Sequence, residues 1–334
     1  MSKKFKLSII IPIYGVEKFI QKFLDSLLPQ LNTEVELIFI DDGCKDSSIE
    51  ILSTALQQLP LDIKKNIKVI QQVNQGLSAA RNAGLRVTQG LYVTFLDSDD
   101  SVMENYIASI LAAISTQKFD ILHFNIKQLN KDNIETQIDH VHKTQLTTIT
   151  NRYLNDLFLL NHWYAFMRVF HHNLLTDFSF PVGLVFEDIL SFPFLYQIDL
   201  AVYELNEALV IYQYRSDSIT NKGVSKNVLN SFTTGINIYR ETRDEPHLRH
   251  VYFYIILMLF NYKLELGRTA YFEFIESIED SDLVFFRQHL EGTHWKKKLM
   301  IKYPRVFFYS LYTTNFTEPL SYQDSAFLKL PKFP

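Results

Sequence analysis

Cysteine is almost absent: Cys44 is the only one in 334 residues. An internal disulfide framework and a cysteine-built zinc centre are therefore excluded. A long apolar run is missing as well. The longest, Val251 to Phe260, is about ten residues, and a helix that spans a bilayer needs roughly 20. No membrane span is expected. Strong charge of one sign is also lacking. Thirty-three basic residues face 37 acidic ones, a formal charge of -4, so no global field points to nucleic acid as a partner. There is no Gly/Ser/Pro-rich linker and no internal repeat. The opening MSKKFKLSIIIPIYG carries basic residues and an apolar run. That run is short for a secretory leader and reads instead as a first strand. Aromatics are plentiful, with 27 Phe and 18 Tyr.

Apolar periodicity supplies the organisation. KLSIIIPI (6–13) is continuously apolar and suits a strand buried on both faces. Val16, Phe19, Ile20, Phe23, Leu24 and Leu27 recur at helical spacing. EVELIFI (34–40) reads as a second strand, with a helix capped by Asp46 or Ser47 running to about Leu59. NIKVIQ (66–71) is a third strand, 76–87 a helix and 90–96 a fourth strand. A helix over 104–116 and a strand over 119–124 follow. Residues 127–150 read as a polar hairpin or loop, and from about 226 the pattern is helical only. Strands alternating with helices at this spacing imply βαβ units. The expected fold is α/β: a Rossmann-like, mainly parallel sheet flanked by helices, with a C-terminal all-helical extension. The expected domains are 1–222, itself two halves (1–101 and 102–222), and a helical region over 223–334.

Acidic residues gather where strands end. Strand two runs into Asp41-Asp42-Gly43, and strand four into LDSDD (96–100). In a parallel sheet, ligands bind at the carboxyl ends of the strands. Residues two apart in an extended segment face the same way, so Asp97 and Asp99 can converge. Their hard oxygens suit Mg²⁺ or Mn²⁺, ions that share coordination with substrate phosphates. Each acidic group also reads as a polar turn followed by a helix cap, and Tyr14 as a partly buried aromatic. Position at three adjacent strand ends favours a ligand site.

Four motifs in order carry a resemblance: IIIPIYGVEKFI, LIFIDDGCKDSS, NQGLSAARNAGL and GLYVTFLDSDD. They resemble the nucleotide-sugar-binding half of family-two glycosyltransferases of the GT-A fold. Weaker likeness continues through FMRVFHHNLL (166–175), FSFPVGLVFEDILSF (178–192) and YQYRSDSIT (212–220). These are similar to acceptor-side segments of bacterial polysaccharide and lipooligosaccharide transferases.

The resemblance implies an inverting, metal-dependent transfer from a nucleotide sugar, expected to be UDP-linked, to a hydroxyl of a glycan or lipid-linked glycan. It places Pro12, Tyr14 and Glu17 around the nucleoside, with Asp41 and Asp42 on the uracil and ribose. Asn74, Gly76 and Arg81 belong to the segment under the nucleotide and sugar. Asp97 and Ser98 face the ribose or sugar, with Asp99, joined by Asp97, on a Mn²⁺ or Mg²⁺ ion. Asp188 matches the catalytic base, with Glu187 beside it. If this pair opens a helix, its side chains diverge by about 100° and only one serves as base. A dipole-favoured acidic pair at a helix start is the plain alternative.

Several positions depart from the family pattern: Gly15 where Asn is common, Cys44 for Ser, Lys45 for a small polar residue, Phe166 for Trp and Arg168 for Lys. None removes an acidic group. Cys44 reads as a small buried side chain. His162, His171 and His172 are weaker candidates for a third metal ligand, and Arg215 for a diphosphate contact. Tyr212, Tyr214 and Ser218 are candidates for shaping the acceptor side. WKKKLMIKYPRVFFYSLY (295–312) suits either peripheral contact with an anionic membrane surface or an aromatic helical core with a solvated basic face. The expected setting is cytoplasmic. Two other functions use similar parts: a sugar nucleotidyltransferase, and a non-catalytic nucleotide-sugar-binding module. The first usually has a Gly-rich basic loop after strand one. Here IYGVEKF has one Gly.

Overall fold

The computed structural model describes residues 4–261, except 133, 215–225, 243, 244 and 246, together with 284. The chain divides into two compact units, 1–221 and 222–334. In the first, β1 (Phe5–Ile13) leads through a turn to α1 (Ile20–Leu27) and β2 (Val35–Asp41). Next come α2 (Ser48–Gln57), the short α3 (Leu61–Lys64), β3 (Ile67–Gln71), α4 (Leu77–Leu85) and β4 (Gly90–Phe95). Then follow β5 (Ser101–Val102), α5 (Tyr106–Thr116), β6 (Ile121–Leu129), β7 (Glu135–Ile138) and β8 (Gln145–Thr148). α6 (Asn151–Leu160), β9 (Arg168–His171) and β10 (Ala201–Gln213) complete it. In the second unit α7 (Lys226–Glu241) packs against α8 (Leu248–Asn261). Among the described residues no helix is long and apolar enough to cross a membrane.

The sheet runs β3-β2-β1-β4-β9-β6-β10-β5, with β7 on β6 and β8 on β10. β1 is parallel to both β2 and β4. Its all-apolar face-to-face pattern is satisfied because Ile9, Ile10, Ile11 and Ile13 are fully buried. β9 runs antiparallel between β4 and β6, and β6 is parallel to β10. The carboxyl ends of β1, β2, β4, β6 and β10 therefore share one rim with the amino end of β9. The strand order reverses at β1, where β2 lies on one side and β4 on the other. That is the switch point at which open α/β sheets bind ligands.

The pattern over 127–150 becomes two short strands, because their polar residues border β6 and β10 rather than the core. The first helix begins at Ile20 rather than Val16. Residues 16–19 form the turn that leads into it: the Val16 carbonyl accepts from Phe19 N and Ile20 N, while the Val16 and Glu17 N–H groups, which a helix start leaves unpaired, donate to Ser48 Oγ and Asp46 Oδ2, both at 3.1 Å. α4 lies tight on β1: a Cβ added at Gly84 would stand 2.4 Å from Ile10 Cγ2. This close approach fixes the depth at which α4 presents its other residues.

Candidate active site

The three strand ends are stitched together by their own loops. Ser98 Oγ donates to the Pro12 carbonyl at 2.7 Å, tying the end of β4 to the end of β1. Tyr14 stands next along the chain and is 51% exposed. Glu17 accepts from Ser47 N at 3.2 Å, binding the β1–α1 loop to the β2–α2 loop. Asp41 is buried, and its Oδ1 accepts from Cys44 N at 2.9 Å. Burial, ahead of the neighbouring carboxylates, pushes the Cys44 thiol up to about 12. It remains a thiol at neutral pH, in keeping with the packing role expected for it.

Asp42 has a different environment from Asp41. Its Oδ1 accepts from Gln72 Nε2 at 2.7 Å and Gln75 N at 2.9 Å. Its Oδ2 accepts from Asn74 Nδ2 at 3.0 Å and Gly76 N at 2.9 Å. Four donors fill the lone-pair directions of a carboxylate. In this structure Asp42 is engaged with the 72–76 loop, and holds Asn74 and Gly76 beneath the strand ends. Gly43 makes the turn possible: its φ is +72°, and a Cβ there would lie 2.9 Å from Asn74 N.

Arg81 projects from α4 and is 2% exposed. Its Nη2 donates to Asp97 Oδ1 at 2.7 Å, and its Nη1 donates to Glu187 Oε1. The guanidinium also lies 5.4 Å from the Phe180 ring centroid. Burial works against its charge, but Asp97, Glu187 and Asp188 more than offset that and hold it above its ordinary value. One planar fork thus joins the D-x-D turn to a segment about ninety residues later.

Asp97 and Asp99 are half-buried and Asp100 is buried. Asp100 Oδ1 accepts from Gln213 N at 2.9 Å, bringing the end of β10 to the turn. Among the described residues no group of three or more His, Cys, Asp or Glu could enclose a metal ion. The available donors are two carboxylates of one turn. Such a set fits Mg²⁺ or Mn²⁺ ions that draw their other ligands from substrate phosphate and water.

Glu187 and Asp188 do not open an α-helix. They occupy a turn ahead of a short 3₁₀ segment, Phe192–Leu195. Phe186 before them has φ +60°, a strained value for an aromatic residue and of a kind that gathers at functional sites. Glu187 is buried against Arg81. Asp188 Oδ1 accepts a local bond from Ile189 N, at 2.7 Å. Burial first, then the neighbouring Glu187 charge, pushes the Asp188 carboxyl up to about 7, with Ile189 N, Arg81 and Arg168 pulling the other way.

Two of the three histidines considered as metal ligands lie elsewhere. β9 runs antiparallel, so its far end sits at the amino end of β4. There His171 packs edge-on to Tyr92 at 5.2 Å, and His172 approaches Thr88. His162 is on the rim side, 5.9 Å from the His140 ring. Arg215, Ser218 and the basic-aromatic stretch 295–312 lie outside the described residues.

Arg168 carries a role no periodicity could show. It is fully buried and donates to Tyr196 OH at 2.7 Å, the Tyr164 carbonyl at 2.9 Å and the His162 carbonyl. Among the described residues no carboxylate lies in ion-pair contact with it. The Tyr196 hydroxyl continues to His123 at 2.6 Å, and His123 to His140 at 3.2 Å.

The comparisons agree with this architecture. Glycosyltransferase GlyA of Streptococcus pneumoniae is 28% identical over 233 residues, covering 66% of this chain and 32% of GlyA. The match thus spans about a third of that relative. The structure of S. aureus TarS 1-349 in complex with UDP-GlcNAc aligns with a TM-score of 0.62 at 22% identity, covering 92% of this chain and 89% of that 1-349 chain. The mannosyltransferase PcManGT of Pyrobaculum calidifontis, in complex with GDP-Man and Mn²⁺, aligns with a TM-score of 0.54 at 11% identity, covering 93% and 88%. Both structures share the α/β GT-A fold. The family model described as Glycosyl transferase family 2 matches residues 8–175, half of the chain, from β1 through the D-x-D turn to β9, and the chain belongs to that family.

Proposed function

We propose that this chain moves a sugar, with inversion, from a UDP-linked donor to a hydroxyl of a bacterial surface glycan or its lipid-linked precursor. The observation that carries the reading is the division of labour within the Glu187-Asp188 pair. Glu187 is neutralised by Arg81. Asp188 keeps a carboxyl poised near neutrality, which is where a general base works best. Asp188 is therefore the base that takes the acceptor hydroxyl proton, and Glu187 positions it. Tyr14, Pro12, Asp41 and Ser98 lie where a nucleoside would rest, and Glu17 braces their loops. Asp42 contributes by shaping the 72–76 loop.

Asp97 and Asp99 would hold a Mn²⁺ or Mg²⁺ ion. When bound, it neutralises charge developing on the departing diphosphate. Arg81 keeps the Asp97 carboxylate fixed at the turn. TarS was crystallised with UDP-GlcNAc and PcManGT with Mn²⁺, which supports a UDP-sugar and a divalent ion here. Nucleotide sugars are cytoplasmic reagents, so the reaction belongs on that side of the membrane.

The test is a nucleotide-sugar panel scored by thermal shift and by slow donor hydrolysis, with Mn²⁺ or with EDTA. A ligand that binds the folded state raises its melting temperature. We expect a UDP-sugar to stabilise the protein and be hydrolysed only with the ion. Pyrophosphate release from UTP and a sugar phosphate would replace this reading with nucleotidyl transfer. UDP binding without hydrolysis or transfer would replace it with a binding module.

A further inference from the structure

Two buried arginines serve the Glu187-Asp188 turn, and their partners differ in kind. Arg81 meets two carboxylates, Asp97 and Glu187. Arg168 on β9 is fully buried and donates to neutral acceptors: the Tyr196 hydroxyl and the Tyr164 and His162 carbonyls. Ring faces complete its surroundings, with the Trp163 centroid 5.2 Å and the Tyr196 centroid 6.0 Å from the guanidinium. A full positive charge thus sits in the interior with no carboxylate in contact among the described residues. A buried charge is unfavourable unless another charge offsets it, and its field is little screened there.

Three links run from Arg168 to the turn that carries Asp188. Thr94 Oγ1 donates to the Arg168 carbonyl at 2.7 Å, fixing β9 against the strand that ends in the D-x-D turn. The Arg168 Nε–H holds the Tyr196 hydroxyl at 2.7 Å. Tyr196 directly follows the 3₁₀ segment Phe192–Leu195. That segment hangs from Asp188, whose carbonyl accepts from Ser191 N at 3.2 Å and Phe192 N at 2.9 Å. The Phe192 ring also packs 5.1 Å from Phe170, two residues beyond Arg168. Arg81 therefore pins the chain at Glu187, and β9 pins it after Asp188.

Resting on the assignment of Asp188 as the base, we infer that Arg168 is a positioning residue for the reaction: it anchors the segment that follows Asp188, and its charge keeps that carboxyl ionised beside Glu187. The charged groups around Asp188 are Glu187 on its own turn, Arg81 on α4 and Arg168 on β9. Glu187 opposes a second negative charge, and Arg81 is already shared by two carboxylates. Arg168 is the cation whose charge is not otherwise engaged. On its other side it faces His123, His140 and His162, with Tyr153 and Tyr196. Burial, ahead of other causes, keeps those three imidazoles neutral, so they add no charge to compete with it.

The test follows the Asp188 carboxyl by NMR, on the full chain carrying aspartate labelled with ¹³C at the side-chain carboxyl and without divalent ion. Asp188→Asn identifies the resonance by its loss. In wild type it should titrate near pH 7. In Arg168→Met and Arg168→Gln it should titrate about one pH unit higher. Arg168→Lys keeps the charge and should titrate close to wild type. With Mn²⁺, hydrolysis of the UDP-sugar at pH 7 should fall about fivefold in the two neutral variants and recover by pH 9. A merely structural Arg168 would lower Tm in all three variants and leave the Asp188 titration unmoved, which overturns the inference. A Lys variant displaced as far as Met overturns it too. A cooperative melt shows which variants fold. Should the neutral ones not fold, the Lys titration decides: near wild type supports the inference, and about one unit higher refutes it. Failure of the underlying reading shows separately, as Asp188→Asn protein that hydrolyses the UDP-sugar as fast as wild type.

Discussion

Arg81 Nη2 lies 2.7 Å from Asp97 Oδ1, and this contact joins the interior of α4 to the metal-binding turn proposed for the site. The same guanidinium holds Glu187, so one cation is shared by two carboxylates. Removing it leaves both uncompensated. Arg81→Ala should destabilise the fold by about 3–5 kcal/mol, as for other broken buried pairs. Arg81→Lys should recover only part, because an ammonium lacks the planar fork. Urea unfolding at neutral pH measures both.

Asp188→Asn should lower transfer about 10²- to 10⁴-fold, the range supplied by a general base. The wild-type rate should rise with pH through an apparent pKa near 7, and the Asn variant should lose that limb.

The same residue predicts an opposite effect on stability. The folded pKa of Asp188 lies above its unfolded value of about 3.9, so the folded state holds the proton more tightly. Its contribution is complete below the unfolded pKa and is lost as pH rises through 7. Relative to wild type, Asp188→Asn should therefore gain stability between pH 4 and pH 8. Urea midpoints across that range check it.

Acid should act through the buried histidines. Burial, followed by neighbouring positive groups, holds His123 and His140 well below their ordinary pKa. Both stay neutral when folded and take up protons when unfolded. Their contribution to stability should then be flat above about pH 6.5 and fall below it, by about 1.4 kcal/mol per pH unit for each ring. His140→Leu should remove one ring's share of the slope in a Tm series from pH 7.5 to pH 5.

Asp42→Asn should cost about 2–6 kcal/mol. An amide NH₂ would face donors now served by a carboxylate oxygen, leaving about two of them unpaired at 1–3 kcal/mol each. It should also weaken UDP binding, since Asn74 and Gly76 lose their anchor. Calorimetric titration with UDP separates that effect from stability.

Much of the first unit was legible in advance. A continuous run such as SIIIPI can only be buried on both faces, and alternating strands and helices leave few topologies. The positions of Asp41, Asp97 and Asp99 at strand ends followed from the same pattern. β9 was not legible as an element, since RVFH is four residues with no period to read. Its antiparallel insertion carries His171 away from the rim and keeps Arg168 on it. Asp41 and Asp42 were indistinguishable as neighbours. Only the packed loop shows four donors converging on one of them.

By itself, then, the sequence determined the fold class, the rim and the set of acidic residues, because local periodicity and chain order survive without tertiary contacts. Only the tertiary structure decided which carboxylates are already engaged. Arg81, Glu187 and Asp97 are separated by 16 and 106 residues, and charge neutralisation depends on distances in space. The burial that lifts the Asp188 carboxyl likewise exists only once the chain is folded.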